Sequence, residues 1–517
     1  MDFLTIIESL FQTFFGLFFV ADCILNGRLS LTIVFGGFFS NILNFPFVIV
    51  VSSLITLICV FYVSPAAIFT SLVISCILRN IIVDICALLS PSFIDVWISA
   101  SICLFLVVSV PVGLGFDLII CGLSKCAKSA NVRIIIFPIA VCVITCVSIA
   151  FSHADQIILI ARTVQANSSL IISLISLVQI CYLFSNSNSQ SQSFILFLVL
   201  LIGTLYPGQK RQFITKFSTF ELVDSSFSTS LVTVVNDREL DVKIMRIDHS
   251  IVGGVFNTGF ESIFETFYWY ELPCHVPWMK STAKSMKKHA LVVGCGVGIV
   301  VDALINRCKF DQVIVVDNNA DVLSFASKYF GLSRNASLIT ADGLEFITTQ
   351  DTNKFELIVY DVFSGLFMRS NYIQELVSNC FRILSDNGIL VLNLVATVEM
   401  EVLHTIVQQL QTAFKQLKCF CEGGIDSVNT SALVNFVFFA IKSEEPLQFD
   451  ISDDNNDQYN YHEAFKSAFK NFKSSEIQLN KLNTYRRVNQ RQIEFSVEKS
   501  NFQSMREMLP SSFWLLY

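Results

Sequence analysis

The stretch His289-Ala-Leu-Val-Val-Gly-Cys-Gly-Val-Gly298 decides the fold. Its first residues are apolar without alternation, the pattern of a strand buried on both faces of a parallel sheet. It ends in Gly294-Cys295-Gly296-Val297-Gly298. Glycines at a strand end let the backbone turn tightly and approach a ligand without a Cβ in the way. Residues 299–308 then carry apolar positions at helical spacing. The unit reads as strand, glycine turn, helix.

The same alternation continues downstream. Residues 312–316 form an apolar run closed by Asp317, and a helical segment follows over 320–330. Residues 337–340 end at Ala341-Asp342-Gly343, and residues 355–360 end at Asp361. A helix is expected over 372–384, a turn at Asp386-Asn387-Gly388, a buried strand over 389–395, a helix over 402–417 and a last strand over 433–441. Strands alternating with helices predict a parallel sheet covered on both faces, an α/β Rossmann-like domain.

In such a sheet the ligand sits at the carboxyl ends of the strands. Four strand ends in order carry a glycine turn or a carboxylate: Gly294, Gly296 and Gly298 first, then Asp317, then Asp342 with Gly343, then Asp361. An acid closing the second strand suits the two hydroxyls of a ribose. Asp342 is placed to accept from an adenine amino group, and Asp361 lies where the reactive end of such a ligand would project. Taken singly, each Asp also fits a turn or a helix cap. The glycine spacing is G-x-G-x-G, tighter than the G-x-G-x-x-G that grips a dinucleotide pyrophosphate. That favours a nucleoside ligand of the S-adenosylmethionine type.

Upstream the composition changes abruptly. Of 77 charged residues in the 517-residue chain, only 13 lie between Met1 and Leu205. Apolar runs over residues 4–25, 45–63, 66–88, 96–123, 132–151, 169–184 and 194–206, with one more over 29–43, approach the roughly 20 residues a bilayer span needs. They predict a multi-pass α-helical membrane domain of about six to eight helices. Lys210, Arg211 and Lys216 follow the last run and put the remainder of the chain in the cytosol by the positive-inside rule. Lys125, Lys128 and Arg133 mark another such loop, and the odd number of runs between the two loops satisfies the rule at only one of them. Glu8, Arg79, Asp84 and Asp117 lie within the runs and are read as packing charges of a membrane anchor.

The net charge is −7, so no basic face for nucleic acid is expected. Of the 16 cysteines, six follow the apolar half: Cys274, Cys295, Cys308, Cys380, Cys419 and Cys421. They form no CxxC pair and have no histidine at ligand spacing, so no metal site is expected and all six read as thiols in a reducing cytosol.

Residues 241–441 resemble the spermidine and spermine synthases, the polyamine aminopropyltransferases, and look most like their membrane-fused branch. The stretches that carry the resemblance are IMRIDHSIVGG (Ile244–Gly254), ESIFETF (Glu261–Phe267), ALVVGCGVG (Ala290–Gly298), VIVVDNNADVLSFASKYFGL (Val313–Leu332), ITADGLEFI (Ile339–Ile347) and VYDVFSG (Val359–Gly365). The resemblance implies a small β domain ahead of the nucleotide domain, for which residues 213–247 supply strand-like runs. It implies S-adenosylmethionine or its decarboxylated form as co-substrate, without a metal. Asp317 would bind the ribose and Asp342 the adenine. Asp361 would hold and deprotonate a polyamine nitrogen attacking the carbon beside the sulfonium, with 5′-methylthioadenosine leaving. A small cationic polyamine, a lipid bilayer and a second copy of the chain are the partners compatible with it.

Three positions depart from the family pattern. Val297 stands where the synthases carry the Asp that grips the aminopropyl ammonium. Ser364 stands at their second catalytic-loop Asp, and Ile263-Phe264 at their Tyr-Gln pair. Glu261 and Glu265 are candidate substitutes for the lost acids or plain surface glutamates. Three functions therefore stay open: aminopropyl transfer, methyl transfer from S-adenosylmethionine on the same scaffold, and a non-catalytic nucleotide-sensing module. The expected layout is a transmembrane domain over 1–207, a small β domain and connection over 208–285, a catalytic nucleotide-binding domain over 286–445 and a charged tail over 446–517.

Overall fold

The computed structural model describes residues 218–227, 230–259, 261–281, 287–362, 370–422, 433–449, 463–482 and 508–516, with scattered positions over 71–114 and at 216. Among the described residues no helix is long and apolar enough to cross a membrane. The runs predicted as spans lie outside the described residues, except at scattered positions of which Arg79 and Asp84 are both buried. The chain divides into two units, and one of them, Thr219–Ser504, contains both sheets described next.

That unit opens with an antiparallel meander of β1 (Phe220–Phe227), β2 (Leu231–Asp237), β3 (Val242–Ile247) and β4 (Ser250–Phe256). This is the expected small β domain, one strand longer than the run over 213–247. Its turns place Asp241 and Asp248 at φ 52° and 49°, a left-handed conformation that Asp tolerates better than most residues. Asp248 also accepts from the Leu231 amide at 3.0 Å, closing the sheet across the β3–β4 turn.

The second sheet has eight strands: β5 (His289–Val293), β6 (Gln312–Asp317), β7 (Ser337–Thr340), β8 (Phe355–Tyr360), β9 (Leu384–Ala396), β10 (Gln416–Cys421), β11 (Val434–Ile441) and β12 (Glu476–Ile477). Their order is β12-β10-β11-β9-β8-β5-β6-β7. Strands β5 to β9 are parallel, as the alternation predicted. The sheet is not parallel throughout, because β11 inserts antiparallel between β9 and β10. Strands β10 and β11 are consecutive in the chain and adjacent in the sheet, a pairing that antiparallel strands allow without a crossover.

Helices cover both faces. One face carries α1 (Thr266–Trp269), α2 (Ile299–Asp302, continued as a wider turn to Arg307) and α3 (Ala320–Tyr329), with the meander packed alongside. The other carries α4 (Gly343–Thr348), α5 (Ser370–Ile383) and α6 (Glu401–Ala413). The helix expected to run to residue 417 stops at Ala413, and Gln416 already belongs to β10.

The segment read as a charged tail is in part structural. Helix α7 (Glu463–Phe472) buries Ala468, Phe469 and Phe472 in the first core, and β12 extends the sheet. Phe472 stacks on Phe420 with ring centroids 4.0 Å apart. Its apolar positions recur at helical spacing, so the charge that surrounds them lies on the opposite face.

Two of the six downstream cysteines are not thiols. Cys274 and Cys308 form a disulfide, correcting the reading of all six as reduced. Nothing in their spacing announces it, because 34 residues and a strand separate them. Cys295, Cys380, Cys419 and Cys421 are free and buried. Burial pushes the Cys380 and Cys421 thiols up to about 12, which keeps them protonated and unreactive.

Candidate active site at the carboxyl edge of the sheet

The strand order reverses between β5 and β8: the chain runs outward through β6 and β7, then returns to the other side of β5. A crevice opens at such a switch point. The predicted residues meet there. Gly294, Gly296 and Gly298 take φ of 90°, 52° and 84°. A Cβ at Gly294 would collide with the carbonyl oxygen of Asp361, so the first glycine is required by the crossing of two backbones at the switch point.

Asp317 ends β6 and ties down the glycine turn. Its Oδ2 accepts from the Cys295 amide and its Oδ1 from the Asn319 amide, both at 2.9 Å. Burial pushes its carboxyl above the ordinary range, and these two bonds pull it back. A carboxylate offers about four lone-pair sites. Holding the loop therefore leaves acceptors for a ribose.

Asp342 caps α4, accepting from the Glu345 amide at 2.9 Å, so the helix-cap reading of this residue holds in the structure. It is exposed at the next strand end along the same edge, and Gly343 packs beside it against Val293. Helix α4 starts at Gly343 because Asp342 is an efficient cap.

Asp361 follows β8 directly. Its Oδ1 accepts from Asn393 Nδ2 at 2.9 Å. The Tyr270 phenol, 1% exposed, faces the same carboxylate. Burial pushes Asp361 up, while Asn393 and Tyr270 pull it down. Tyr270 Oη and Asn393 Oδ1 are both buried without a hydrogen bond of ordinary geometry. Buried polar atoms are nearly always paired, so an unpaired one calls for an explanation such as a catalytic role or a bound water or ion. Two such atoms lie beside one carboxylate.

Tyr270, Asn393, Asn435 and Glu422 are not singled out by the sequence. Asn393 does carry a signal, as a polar residue interrupting the buried run Val391-Leu-Asn393-Leu-Val395. Tyr270 lies in the aromatic run Phe267-Tyr-Trp-Tyr270, where nothing distinguishes it from core.

The departures also find their places. Val297 is 1% exposed and packs on the meander: a Cβ at Gly253 would lie 2.9 Å from Val297 Cγ2. An apolar wall thus fills the place of an ammonium-binding acid. Ser364 lies outside the described residues. Glu265 accepts from Ser467 Oγ at 3.1 Å and Asn471 Nδ2 at 3.4 Å, holding α7 and not serving the crevice. Glu271, which no sequence pattern marks, is fully buried and paired with Arg307. With the adjacent disulfide, that pair fastens the segment bearing Tyr270 to α2.

Among the described residues no cluster of His, Cys, Asp or Glu could hold a metal ion.

Parts of the chain are similar to known proteins. The family model described as spermine/spermidine synthase domain matches residues 267–448. An N-terminal histidine N-methyltransferase of Emericella nidulans is 23% identical over 238 residues, 43% of this chain and 42% of that protein. A polyamine aminopropyltransferase of Clostridium perfringens is 28% identical over 203 residues, 36% of this chain and 67% of that protein. A crystal structure of a probable spermidine synthase from Corynebacterium glutamicum overlays on 52% of this chain and 95% of its own, with 12% identity and a TM-score of 0.41. The chain spans less than half the length of the first of these curated relatives. Residues 267–448 thus match the spermine/spermidine synthase domain model, and over that part the chain is similar to polyamine aminopropyltransferases.

Proposed function

We propose that the protein is a transferase that moves an aminopropyl group from decarboxylated S-adenosylmethionine to an amine nitrogen of a polyamine. The observation that carries this reading is the polar cluster at Asp361, where the Tyr270 hydroxyl and the Asn393 carbonyl oxygen lie buried beside the carboxylate without hydrogen bonds of ordinary geometry. The nucleoside lies along the strand ends, its ribose on Asp317 and its adenine beside Asp342. The amine enters at Asp361, which orients its lone pair toward the carbon next to the sulfonium and takes up the proton released. The sulfonium is already a good leaving group, so catalysis rests on positioning and on that one proton.

Val297 favours a second reading, methyl transfer from S-adenosylmethionine itself. A buried apolar wall at this point offers nothing to a free aminopropyl ammonium. A relative named as a methyltransferase points the same way. Calorimetric titration of the full-length protein with each donor, followed by mass analysis of a diamine acceptor, separates the two. Tighter binding of the decarboxylated donor with aminopropyl product supports the first reading. Preference for the carboxylated donor with methyl product replaces it by the second, and binding of neither donor ends both.

The apolar N-terminal runs support a membrane-anchored enzyme. The Cys274–Cys308 disulfide favours an oxidising side of that membrane over the cytosol, where such bonds are rare. The loop with Lys210, Arg211 and Lys216 is then the one that departs from the positive-inside rule. Protease protection of the soluble part in sealed microsomes tests this placement, and digestion without detergent would reverse it.

A further inference from the structure

Four polar side chains stand in one line across the carboxyl edge of the sheet. Asp361 follows the Tyr360–Leu392 pair of β8 and β9, so its lateral neighbour is Asn393. Asn435 lies across from β9 at the start of β11, and Glu422 follows the last pair of β10 with β11. They are hydrogen-bonded in series. Asn435 Nδ2 donates to Glu422 Oε2 at 2.9 Å, Asn393 Nδ2 donates to Asn435 Oδ1 at 3.2 Å, and the same Nδ2 donates to Asp361 Oδ1 at 2.9 Å.

The chemistry at each end sets the direction of the series. A carboxylate accepts and does not donate. Glu422 therefore turns the amide nitrogen of Asn435 toward itself and leaves Asn435 Oδ1 facing Asn393. That oxygen and Asp361 together claim both protons of Asn393 Nδ2. The remaining Asn393 atom, Oδ1, is buried beside the Tyr270 hydroxyl without a hydrogen bond of ordinary geometry, so a carbonyl acceptor stands next to the carboxylate.

We propose that Glu422 acts through Asn435 as a positioning residue, making Asn393 Oδ1 and Asp361 a pair of acceptors that selects primary amines and rejects N,N-dimethylated ones. The inference deepens the proposed function and rests on its assignment of the acceptor to this pocket. A neutral primary amine gives one N–H to each acceptor and keeps its lone pair for the attack. The lone pair forms the N–C bond, the C–S electron pair returns to sulfur, and the surplus nitrogen proton passes to Asp361. A dimethylated amine has at most one N–H, even when protonated, and leaves an acceptor empty.

Calorimetric titration of full-length protein with 5′-methylthioadenosine present compares butane-1,4-diamine with its N,N,N′,N′-tetramethyl form. The wild type is expected to prefer the primary diamine by about tenfold to a hundredfold, the effect of one unfilled buried acceptor. Glu422→Gln can turn its own NH2 toward Asn435 and reverse the series, and Asn435→Ala breaks it. Both are expected to cut the preference to about threefold or less, while Glu422→Asp keeps it. Equal binding of the two amines by the wild type overturns the proposal. So does an undiminished preference in Glu422→Gln and Asn435→Ala at wild-type melting temperature. A chain that shows the preference and its loss in both variants, yet transfers nothing from either donor, upholds the amine site and overturns only the proposed function.

Discussion

Asp361, just past the end of β8, and Asn393, within the parallel strand β9, stand side by side, and the 2.9 Å bond between them couples the proposed base to the rest of the sheet edge. Burial raises the Asp361 carboxyl and the Asn393 bond lowers it. The ionised form orients and deprotonates the amine, so activity rises with pH through a limb lying above the ordinary carboxylate range. Replacing Asn393 by Leu removes a lowering contact and moves that limb to higher pH. A pH–rate profile of the two proteins checks the direction.

Asp361→Asn is expected to lower kcat by about a hundredfold to ten-thousandfold, the usual span for a lost general base. Its effect on stability has the opposite sign. A carboxyl whose folded pKa is raised contributes most below its unfolded pKa, and stability falls as pH climbs through the folded value. At neutral pH the variant should therefore melt no lower than the wild type. Loss of both activity and fold would mean that Asp361 is structural.

Gly294→Ala places a methyl group on the Asp361 carbonyl at a φ of 90°, where L residues are strained. The two backbones cannot both stay in place. Destabilisation of roughly 3 kcal/mol or more and loss of donor binding are expected, read by urea melts and calorimetry.

Arg307→Ala leaves the fully buried Glu271 without its partner. A broken buried pair costs about 3–5 kcal/mol, whereas replacing both partners by apolar residues of similar volume is close to neutral. Comparing Arg307→Ala with Arg307→Met/Glu271→Leu by denaturant unfolding separates an unpaired charge from simple loss of packing.

Phe472→Ala tests whether residues beyond 462 belong to the catalytic unit. Phe472 is 3% exposed and stacked on Phe420 of β10. Deletion of a buried aromatic side chain costs about 3–5 kcal/mol. A melting temperature unchanged from wild type would return this segment to the status of a tail.

Val297→Asp restores an acid within the glycine turn, beside the expected reactive end of the donor. Without ligand the buried, unpaired carboxylate costs stability, on the order of several kcal/mol after relaxation. Decarboxylated S-adenosylmethionine should recover that loss through its ammonium, so thermal shift with this donor should exceed that with the carboxylated form. Equal shifts would place the donor's side chain away from residue 297.

The sequence by itself determined the strand-end part of the candidate site. Gly294, Asp317, Asp342 and Asp361 each close a strand, and in a parallel sheet successive strand ends share one edge, so local pattern suffices to bring them together. The alternation of apolar runs fixed five parallel strands for the same reason. Only the tertiary structure decided the polar cluster beside Asp361. Asn393, Asn435 and Glu422 align because β11 inserts antiparallel between β9 and β10, and no periodicity encodes that insertion. Tyr270 reaches Asp361, and Cys274 reaches Cys308, through packing of segments far apart in the chain. Helix α7 buries Phe469 and Phe472 in the core, and helical spacing alone does not say which surface receives them. Contacts within one strand-turn unit are written in spacing. Contacts between units depend on which buried surfaces fit, and that is settled only when the chain is folded.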